Sequence, residues 1–254
     1  MIKLSKKKPE KRLLKRLQKR AGRAKSGQIT VRHRGGGAKK LYRMIDFGQE
    51  QINMPAKIIA LEYDPYRTAH IALLEYENGK KQYRLAINGL NVDDEVVIAE
   101  KAKVKDGNRM RLINIPIGAE VCNVELRPNQ GGKIIRSAGA SATVLAHEGK
   151  YAHLKMPSKE IRKIFSQCFA TVGRISHSEH QLRKLTKAGQ TRLMGRRPQV
   201  RGTVMSPTAH PHGGGEARTP IGMPGPKTPW GKPARGVKTR KNKSTEKYII
   251  KKRK

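Results

Sequence analysis

Short hydrophobic runs separated by turn residues dominate the middle of the chain. From Ala56 onward, the runs AKIIALEYD, HIALLEYE, KKQYRLAI and EVVIAE are rich in Ile, Leu, Val and Tyr, which favour β-strands. The second and third runs are joined by ENGK, in which Asn78-Gly79 predicts a type I′ hairpin turn. Four or five short antiparallel strands of this kind fit a small closed barrel such as an OB-fold, or a sandwich.

A second set of strand-like runs follows the turn at VKDGNR. It comprises RLINIPIGAEVCNVEL, ATVLAHE, YAHLKMP, EIRKIF and CFATVGRIS, with a hairpin turn predicted at Gly149. The stretch SHSEHQLRKLTKAG then predicts one short helix, with Ser178 as its N-cap and Gly189 just past its end. The pattern therefore predicts an all-β fold of two successive small β units, closed by a short helix.

No hydrophobic periodicity follows the predicted helix. Residues 184–254 contain ten Gly and eight Pro, and such a segment cannot bury a core of its own. We therefore predict four regions: a basic N-terminal extension (1–43), a first β domain (44–107), a second β domain (108–183), and a basic, irregular C-terminal extension (184–254) that carries a glycine-rich loop.

Charge is concentrated in the two extensions. The chain has a net charge of +37. Residues 1–43 hold 17 Lys and Arg and one acidic residue, residues 184–254 hold 19 and two, and residues 44–183 hold 20 and 16. Such a distribution indicates a polyanionic partner, against which the extensions would become ordered. A soluble domain with disordered tails is the alternative, although solubility needs far fewer cations.

Other classes of protein receive little support. Cys122 and Cys168 lie far apart, without a CxxC motif or a nearby histidine cluster, so neither a zinc site nor a disulfide framework is predicted. No run approaches the roughly 18 apolar residues of a membrane helix, and we expect an intracellular protein with no membrane partner. Residues 9–25 place three leucines on one face of a basic helix, which fits nucleic-acid contact or an organellar transit peptide.

The stretch SPTAHPHGGGEAR combines His210, His212 and Glu216 with three glycines. A zinc site would need more ligands than these, and a nucleophilic triad at Ser206 would lack an acid to orient the imidazole. The pattern favours RNA contact, in which the glycines at 213–215 let the backbone enter a narrow polar space and the histidines bind phosphates or bases. We therefore predict no catalytic residue, no metal and no cofactor.

Two further features could bind RNA. In RPNQGGKIIRSAGASA, adjacent glycines stand near Lys133 and Arg136, which predicts a phosphate contact or simply a flexible hairpin loop. Trp230, the only tryptophan of the chain, is a candidate for stacking on a base.

Five stretches of the chain carry a family resemblance: GQITVRHRGGGAKKLYRMIDF (27–47), ALEYDPYRTAHIALLEY (60–76), RLINIPIGAEVCNVEL (111–126), GRRPQVRGTVMSPTAHPHGGGEAR (195–218) and TPWGKPARGVKTRKNK (228–243). Together they resemble the large-subunit ribosomal protein two family, of the bacterial or organellar type. The resemblance runs in order from about residue 27 to the end of the chain. The long motif that ends in HPHGGG is far more specific than three glycines alone.

The resemblance implies an OB-fold RNA-binding domain followed by an SH3-like barrel, with extensions threaded into large-subunit ribosomal RNA. It implies a structural ribosomal protein, not an enzyme, that supports assembly, subunit association, tRNA binding and the architecture around the peptidyl-transferase centre. The implied partners are large-subunit ribosomal RNA, other ribosomal proteins, the small subunit across the interface and nearby tRNA. The implied location is the cytoplasmic ribosome or an organellar one. A free-standing nucleic-acid chaperone is the alternative that also explains the charge.

The resemblance also bears on single residues. His210 falls on the histidine that the family ties to peptidyl-transferase activity, and we interpret its role as positioning RNA. Ala209 stands where the bacterial family usually has Asp, and the segment before Gly27 is unlike the family's longer N-terminus. The residues expected to contact RNA are Arg32, His33, Arg34, Lys39, Lys40, Arg43, Arg67, Lys133, Arg136, Arg196, Arg197, Arg201, His210, His212, Gly213, Gly214, Gly215, Arg218, Trp230, Lys232, Arg235, Lys238, Arg240 and Lys241.

Overall fold

The computed structural model of the chain describes residues 4–216 and 219–253. The chain divides into two compact units. The β unit comprises residues 1–17, 40–184 and 245–254, and the extended unit comprises residues 18–39 and 185–244.

Strands dominate the described residues, in agreement with the all-β prediction. They are β1 (Leu14–Lys15), β2 (Tyr42–Arg43), β3 (Pro55–Glu62), β4 (Ile71–Tyr76), β5 (Lys81–Leu85), β6 (Glu95–Val97), β7 (Arg109–Arg111), β8 (Glu120–Cys122), β9 (Ala142–Glu148), β10 (Tyr151–Lys155), β11 (Ile161–Phe165), β12 (Phe169–Val172) and β13 (Ile249–Lys251). The described part of the chain has a single α-helix, α1 (Ala188–Leu193), and 3-10 turns at Lys11–Leu13, Leu112–Asn114, Ser178–Leu182, Gly202–Val204 and Glu246–Tyr248.

The first sheet has four antiparallel strands in the order β5-β4-β3-β6. Successive side chains of a strand point to opposite faces of the sheet, and both faces of this sheet are buried. Ile71 and Leu73 of β4 belong to a small apolar cluster on one face, and Ala72 and Leu74 belong to the main core on the other.

The hairpin between β4 and β5 differs from the predicted type I′ turn. A type I′ turn needs positive φ at both central residues, but of Asn78 and Gly79 only the glycine has it, at 73°. The Gly79 N–H donates to the Tyr76 carbonyl (2.8 Å), and the Tyr76 N–H donates to the Lys80 carbonyl (3.1 Å). These bonds close a three-residue loop that ends in a left-handed glycine. The Asn78 side chain supports this loop, since its Oδ1 accepts the Lys80 N–H at 3.0 Å.

The second sheet has seven strands in the order β13-β11-β10-β9-β8-β12-β7. A two-residue turn at Gly149-Lys150 joins β9 to β10, where Glu148 pairs with Tyr151, so the predicted hairpin is confirmed. The main core runs continuously from the first sheet into this one and includes Met110, Val121 and Leu154. The two sheets thus share one hydrophobic core.

The chain ends are more regular than the predicted extensions. β13 pairs with β11 at the sheet edge, where Lys251 lies opposite Ile161, and near the N-terminus the Ser5 N–H donates to the Leu61 carbonyl at 2.8 Å. Strand β1 pairs with β2. An irregular segment at 249–251 was therefore the wrong expectation. The strand was not predicted because it is short and surrounded by lysines, and it forms by pairing with one edge strand of the sheet. The domain boundaries 44–107 and 108–183 stay a prediction.

The predicted helix after the second sheet does not form as expected. Its first part is the 3-10 turn Ser178–Leu182, whose N-cap residue is His177 with a left-handed backbone, and not Ser178. The α-helix begins ten residues later and contains Gly189 inside it. The physical reason is that Leu182 and Leu185, which stand three residues apart in this stretch, are 78% and 45% exposed, so no core lies beneath them.

Both cysteines lie in the core as free thiols. Burial raises the pKa of Cys168 to about 12 and raises the pKa of Cys122 as well. Unreactive, buried thiols behave as small apolar side chains. Within the described ranges, no helix has the length and apolar character that a membrane span requires.

Candidate nucleic-acid interface

The extended unit is held together by backbone pairing between its two segments. Arg34 and Arg196 form an antiparallel bridge. Next to it, the Arg197 N–H donates to the His33 carbonyl (3.0 Å), and the Gly35 N–H donates to the Gly195 carbonyl (3.0 Å). We call residues 33–38 and 193–198 the paired ribbon. It brings the RHRGGG and MGRRP sequences together, although about 160 residues of chain separate them.

Glycine is needed where the two backbones of the ribbon meet. Gly37 has a φ of +81°, and a Cβ added there would lie 3.1 Å from Gly195 Cα and from the Leu193 carbonyl oxygen. The Lys19 ammonium group donates to the carbonyls of Gly37 (2.9 Å) and Ala38 (3.0 Å). A side chain at position 37 would therefore be strained and crowded at once.

The ribbon displays exposed cations. Arg34, Arg196 and Arg197 are exposed, as is Arg32 immediately before the ribbon. None of the four forms an ion pair with a carboxylate within the described part of the chain. Four guanidinium groups with no internal counter-ion form a surface suited to phosphate, which they can bind in a bidentate fashion.

The glycines of the HPHGGG motif serve the fold of the loop itself. A Cβ on Gly213 would lie 2.2 Å from the Ser206 carbonyl oxygen, and one on Gly214 would lie 2.9 Å from the Pro207 ring. A Cβ on Gly202, outside the motif, would lie 2.6 Å from the His210 ring. The sequence interpretation assigned the glycines at 213–215 to close approach of RNA. The structure gives Gly213 and Gly214 a reason inside the chain, and their RNA contact stays a prediction.

Hydrogen bonds fix both histidines of the motif. The His212 N–H donates to His210 Nδ1 at 3.0 Å, so a neutral His210 carries its proton on Nε2. The Lys227 N–H donates to His212 Nε2 at 2.8 Å, which places the proton of a neutral His212 on Nδ1. Burial lowers the pKa of His210, and the neighbouring His212 and Arg32 lower it further. His210 is therefore a buried, neutral imidazole that organises the loop.

Trp230 stands at the tip of a tight turn. The Thr228 N–H donates to the Lys232 carbonyl (2.7 Å), and the Gly231 N–H donates to the Thr228 carbonyl (2.9 Å). The indole is 73% exposed, and the Arg32 guanidinium lies 5.3 Å from its ring centroid. The exposure and the neighbouring cation suit base stacking.

Four of the five predicted RNA contacts in the β unit are engaged internally, three of them beside the segment that enters the first sheet. Arg67 pairs with Asp64 at 3.2 Å and has an 18% exposed side chain, and its guanidinium lies 5.0 Å from the Phe47 ring. Lys40 Nζ donates to the Pro65 carbonyl (3.1 Å), and half-buried Arg43 donates to the Leu41 carbonyl (3.0 Å). These contacts hold the segment that enters the first sheet.

The RPNQGG loop is held by a buried carboxylate. Glu125 is fully buried. It accepts the N–H groups of Gly131 (2.8 Å) and Phe169 (3.0 Å), and Arg109 Nη2 lies 3.5 Å from its Oε1. The loop is thus anchored, and the flexible-hairpin alternative does not describe it. Lys133 remains exposed.

Sequence reasoning missed the Arg109–Glu125 pair. Burial lowers the pKa of Arg109 to about 10, while Glu125 opposes this effect. Glu125 stands between Val124 and Leu126 in its strand-like run, and an isolated charge in such a run is the signal that could have found it, whereas Arg109 belongs to the turn VKDGNR and gives no such signal. The sequence interpretation placed Arg136 on phosphate, but its guanidinium lies 4.5 Å from the Phe47 ring centroid and donates to the Gly132 carbonyl at 3.3 Å.

The remaining predicted contacts are mostly open to solvent. Arg218 lies outside the described residues. No group of three or more His, Cys, Asp or Glu side chains suited to a metal ion occurs in the part of the chain that the structure describes. Of these remaining predicted RNA contacts, the exposed ones are Lys39, Arg201, Gly215, Lys232, Arg235, Lys238, Arg240 and Lys241.

Two family profiles match most of the chain. Residues 10–98 match the profile described as Ribosomal Proteins L2, RNA binding N-terminal domain. Residues 105–231 match the profile described as Ribosomal Proteins L2, C-terminal domain, which by itself covers half of the 254 residues. The domains of this family are an OB-fold and an SH3-like barrel, so the predicted fold class of the two β domains is confirmed.

Proposed function

Because the chain belongs to the ribosomal L2 family, which has a structural and ribosomal RNA-binding role in the large ribosomal subunit, we propose that its extended unit is the part that enters the RNA. The paired ribbon is the observation that carries this proposal. It presents Arg34, Arg196 and Arg197 on one fixed piece of backbone, exposed and without carboxylate partners. Cations fixed in this way can bind a defined arrangement of phosphates without first losing side-chain partners.

The HPHGGG loop acts in positioning RNA. His210 is buried, and its Nδ1 already accepts the His212 N–H, so this nitrogen is not free to accept a proton from a substrate. Ala209 supplies no carboxylate beside the imidazole. These observations support a structural protein, whose loop shapes the RNA around the peptidyl-transferase centre, over an enzyme.

The finer role follows from the same placement. An extended, cationic unit that orders RNA segments would support assembly of the large subunit, its association with the small subunit and the binding of tRNA nearby. The partners would be large-subunit ribosomal RNA, neighbouring ribosomal proteins, the small subunit and tRNA, on the cytoplasmic ribosome or an organellar one. The motifs are compatible with either compartment.

Sedimentation tests the proposal. A tagged copy is sedimented from its own cells through sucrose gradients at moderate and high salt, and RNA is sequenced from every fraction that contains it. We expect the protein to stay with large-subunit RNA after the high-salt wash, because many phosphate contacts act together. Spreading among light fractions with mixed RNA would overturn the proposal and support a nucleic-acid chaperone.

A variant ties the result to the ribbon. Arg196→Gln combined with Arg197→Gln should release the protein from the large subunit at a lower salt concentration than the wild type. The control is Lys101→Gln combined with Lys159→Gln, which removes two exposed cations of the β unit that we do not assign to RNA. Equal salt sensitivity of the two variants would mean that the paired ribbon does not bind the RNA.

A further inference from the structure

A cleft in the β unit contains none of the residues that the sequence predicts to bind RNA. Its volume is about 180 Å³. Strand β11 contributes one side, the 3-10 turn Glu246–Tyr248 before β13 contributes another, and the chain after the buried Glu125 contributes a third. We call it the C-terminal cleft, and its lining residues are Leu126, Arg127, Arg162, Lys163, Ile164, Phe165, Thr245 and Tyr248.

The charge of the C-terminal cleft is entirely positive. Its lining includes Arg127, Arg162 and Lys163 and no carboxylate. Within the described residues, the guanidinium groups of Arg127 and Arg162 have neither a hydrogen-bond acceptor nor an ion-pair partner. Arg84 of the same unit, in contrast, pairs with Asp46 at 2.9 Å. Unpaired cations along a concave surface favour an anionic ligand.

Aromatic rings accompany these cations. The ring centroids of Phe165 and Tyr248 lie 6.4 Å apart at an interplanar angle of 61°, and Tyr151 continues the aromatic surface at 4.8 Å from Phe165. Flat rings beside arginines are the combination that binds unpaired nucleotides, since the base stacks on a ring while the flanking phosphates meet the cations. A carboxylate or free phosphate would use the cations alone.

We propose that the C-terminal cleft binds one unpaired nucleotide of RNA, with its base against Tyr248 and its phosphates at Arg127 and Arg162. This inference rests on the proposed function, because a loop or bulge of ribosomal RNA is the source of such a nucleotide. A base-paired nucleotide does not fit, since its two faces are covered by its neighbours in the helix and cannot reach the rings.

The structure also explains why the cleft keeps its shape without RNA. Ile249 pairs with Arg162 and Lys251 with Ile161, which fixes the start of β13 against β11. Lys252 pairs with Glu246 at 3.2 Å across the turn. Tyr248 is therefore held in place by the strand that follows it, and binding a nucleotide does not require this side of the cleft to form.

Crosslinking and affinity measurements on the full chain test the proposal. The probe is a uridine heptamer with one central 4-thiouridine, crosslinked by light and mapped by mass spectrometry, and we expect a crosslink at Tyr248 or Phe165. Tyr248→Leu should weaken binding of the heptamer about 5- to 150-fold, because stacking of one base contributes roughly 1–3 kcal/mol. Tyr248→Phe keeps the ring and should bind like the wild type.

A charge-matched pair of variants tests the phosphate contact. Arg162→Gln should lower the slope of log affinity against log salt by about 0.7, the value for one phosphate of a single strand. Arg183→Gln removes an exposed arginine of the same unit outside the cleft and should leave the slope unchanged. Equal slopes for the two variants would overturn the assignment, as would unaltered binding by Tyr248→Leu. A 12-base-pair RNA duplex, whose nucleotides do not fit the cleft, should bind every variant like the wild type, and a duplex weakened by Tyr248→Leu would also contradict the assignment.

Failure of this inference can be told apart from failure of the proposed function. If the wild-type protein sediments with large-subunit RNA but crosslinks never map to the C-terminal cleft, the cleft does not bind a nucleotide and the ribosomal role stands. If a peptide of another ribosomal protein crosslinks there instead, the nucleotide assignment is overturned. If the wild-type protein leaves the ribosomal RNA, the proposed function itself fails.

Discussion

Replacing Arg196 and Arg197 by glutamine should change the salt dependence of RNA binding more than any other property of the protein. Both side chains are exposed and have no carboxylate partner in the described residues. Replacing them therefore deprives no carboxylate of an ion-pair partner. If each neutralises one phosphate, the slope of log affinity against log salt falls by about 0.7–0.9 per arginine. For both together we expect a slope smaller by about 1.4–1.8.

The assay is titration of the full chain with a fragment of large-subunit ribosomal RNA at four or more salt concentrations. The control is Arg196→Lys combined with Arg197→Lys, which keeps both charges but loses the planar fork that can bind a phosphate bidentately. We expect this control to bind more weakly at every salt concentration while its slope stays that of the wild type. A glutamine variant with an unchanged slope would mean that both arginines face solvent in the complex and would refute the reasoning.

Three further outcomes are expected. Gly37→Ala should speed hydrogen exchange of the Ala38 amide about 5- to 30-fold, since a left-handed alanine costs roughly 1–2 kcal/mol. Exchange at the wild-type rate would contradict the prediction that alanine is strained at this position. Glu125→Gln should destabilise the β unit by about 3–5 kcal/mol in urea unfolding by leaving Arg109 unpaired, whereas Glu100→Gln, at an exposed pair, should cost at most about 1 kcal/mol. The folded-state pKa of His210 is lowered, so the loop that contains it should lose stability as pH falls below about 6.5. Hydrogen exchange at the His212 amide measures this loss of stability. His210→Gln should abolish the pH dependence.

The strands were predictable because their signal is local. The run HIALLEYE contains Ile71 and Leu73 on one face and Ala72 and Leu74 on the other, and burial on both faces makes it continuously apolar. The two barrel-type units follow from the number and spacing of such runs. What each strand pairs with over a long distance is a tertiary property, so the return of residues 249–251 to β11 could not be read from a lysine-rich end.

The helix prediction failed because the pattern alone does not show whether a core lies beneath it. Leu182 and Leu185 have helical spacing, but both are exposed. The type I′ turn failed for a related reason: Asn78-Gly79 fits more than one turn, and the Lys80 N–H bond to the asparagine side chain belongs to the longer loop. In both cases the local preference was real, but the surroundings decided the outcome: a missing core for the helix and a side-chain hydrogen bond for the turn.

The glycines decide how the candidate site should be interpreted. A sequence shows only that side chains are absent, so the three glycines at 213–215 suggest room for RNA. In the structure, Gly37 admits the backbone of Gly195, and Gly213 admits the carbonyl of Ser206. The chain fills these spaces with itself. The surface that we propose to bind RNA is therefore the set of cations displayed by the resulting backbone, and the glycines make that backbone possible. Substituting a glycine should therefore reduce RNA affinity through loss of local structure, whereas substituting an arginine should reduce it through loss of charge, and only the second should lower the salt slope without faster amide exchange.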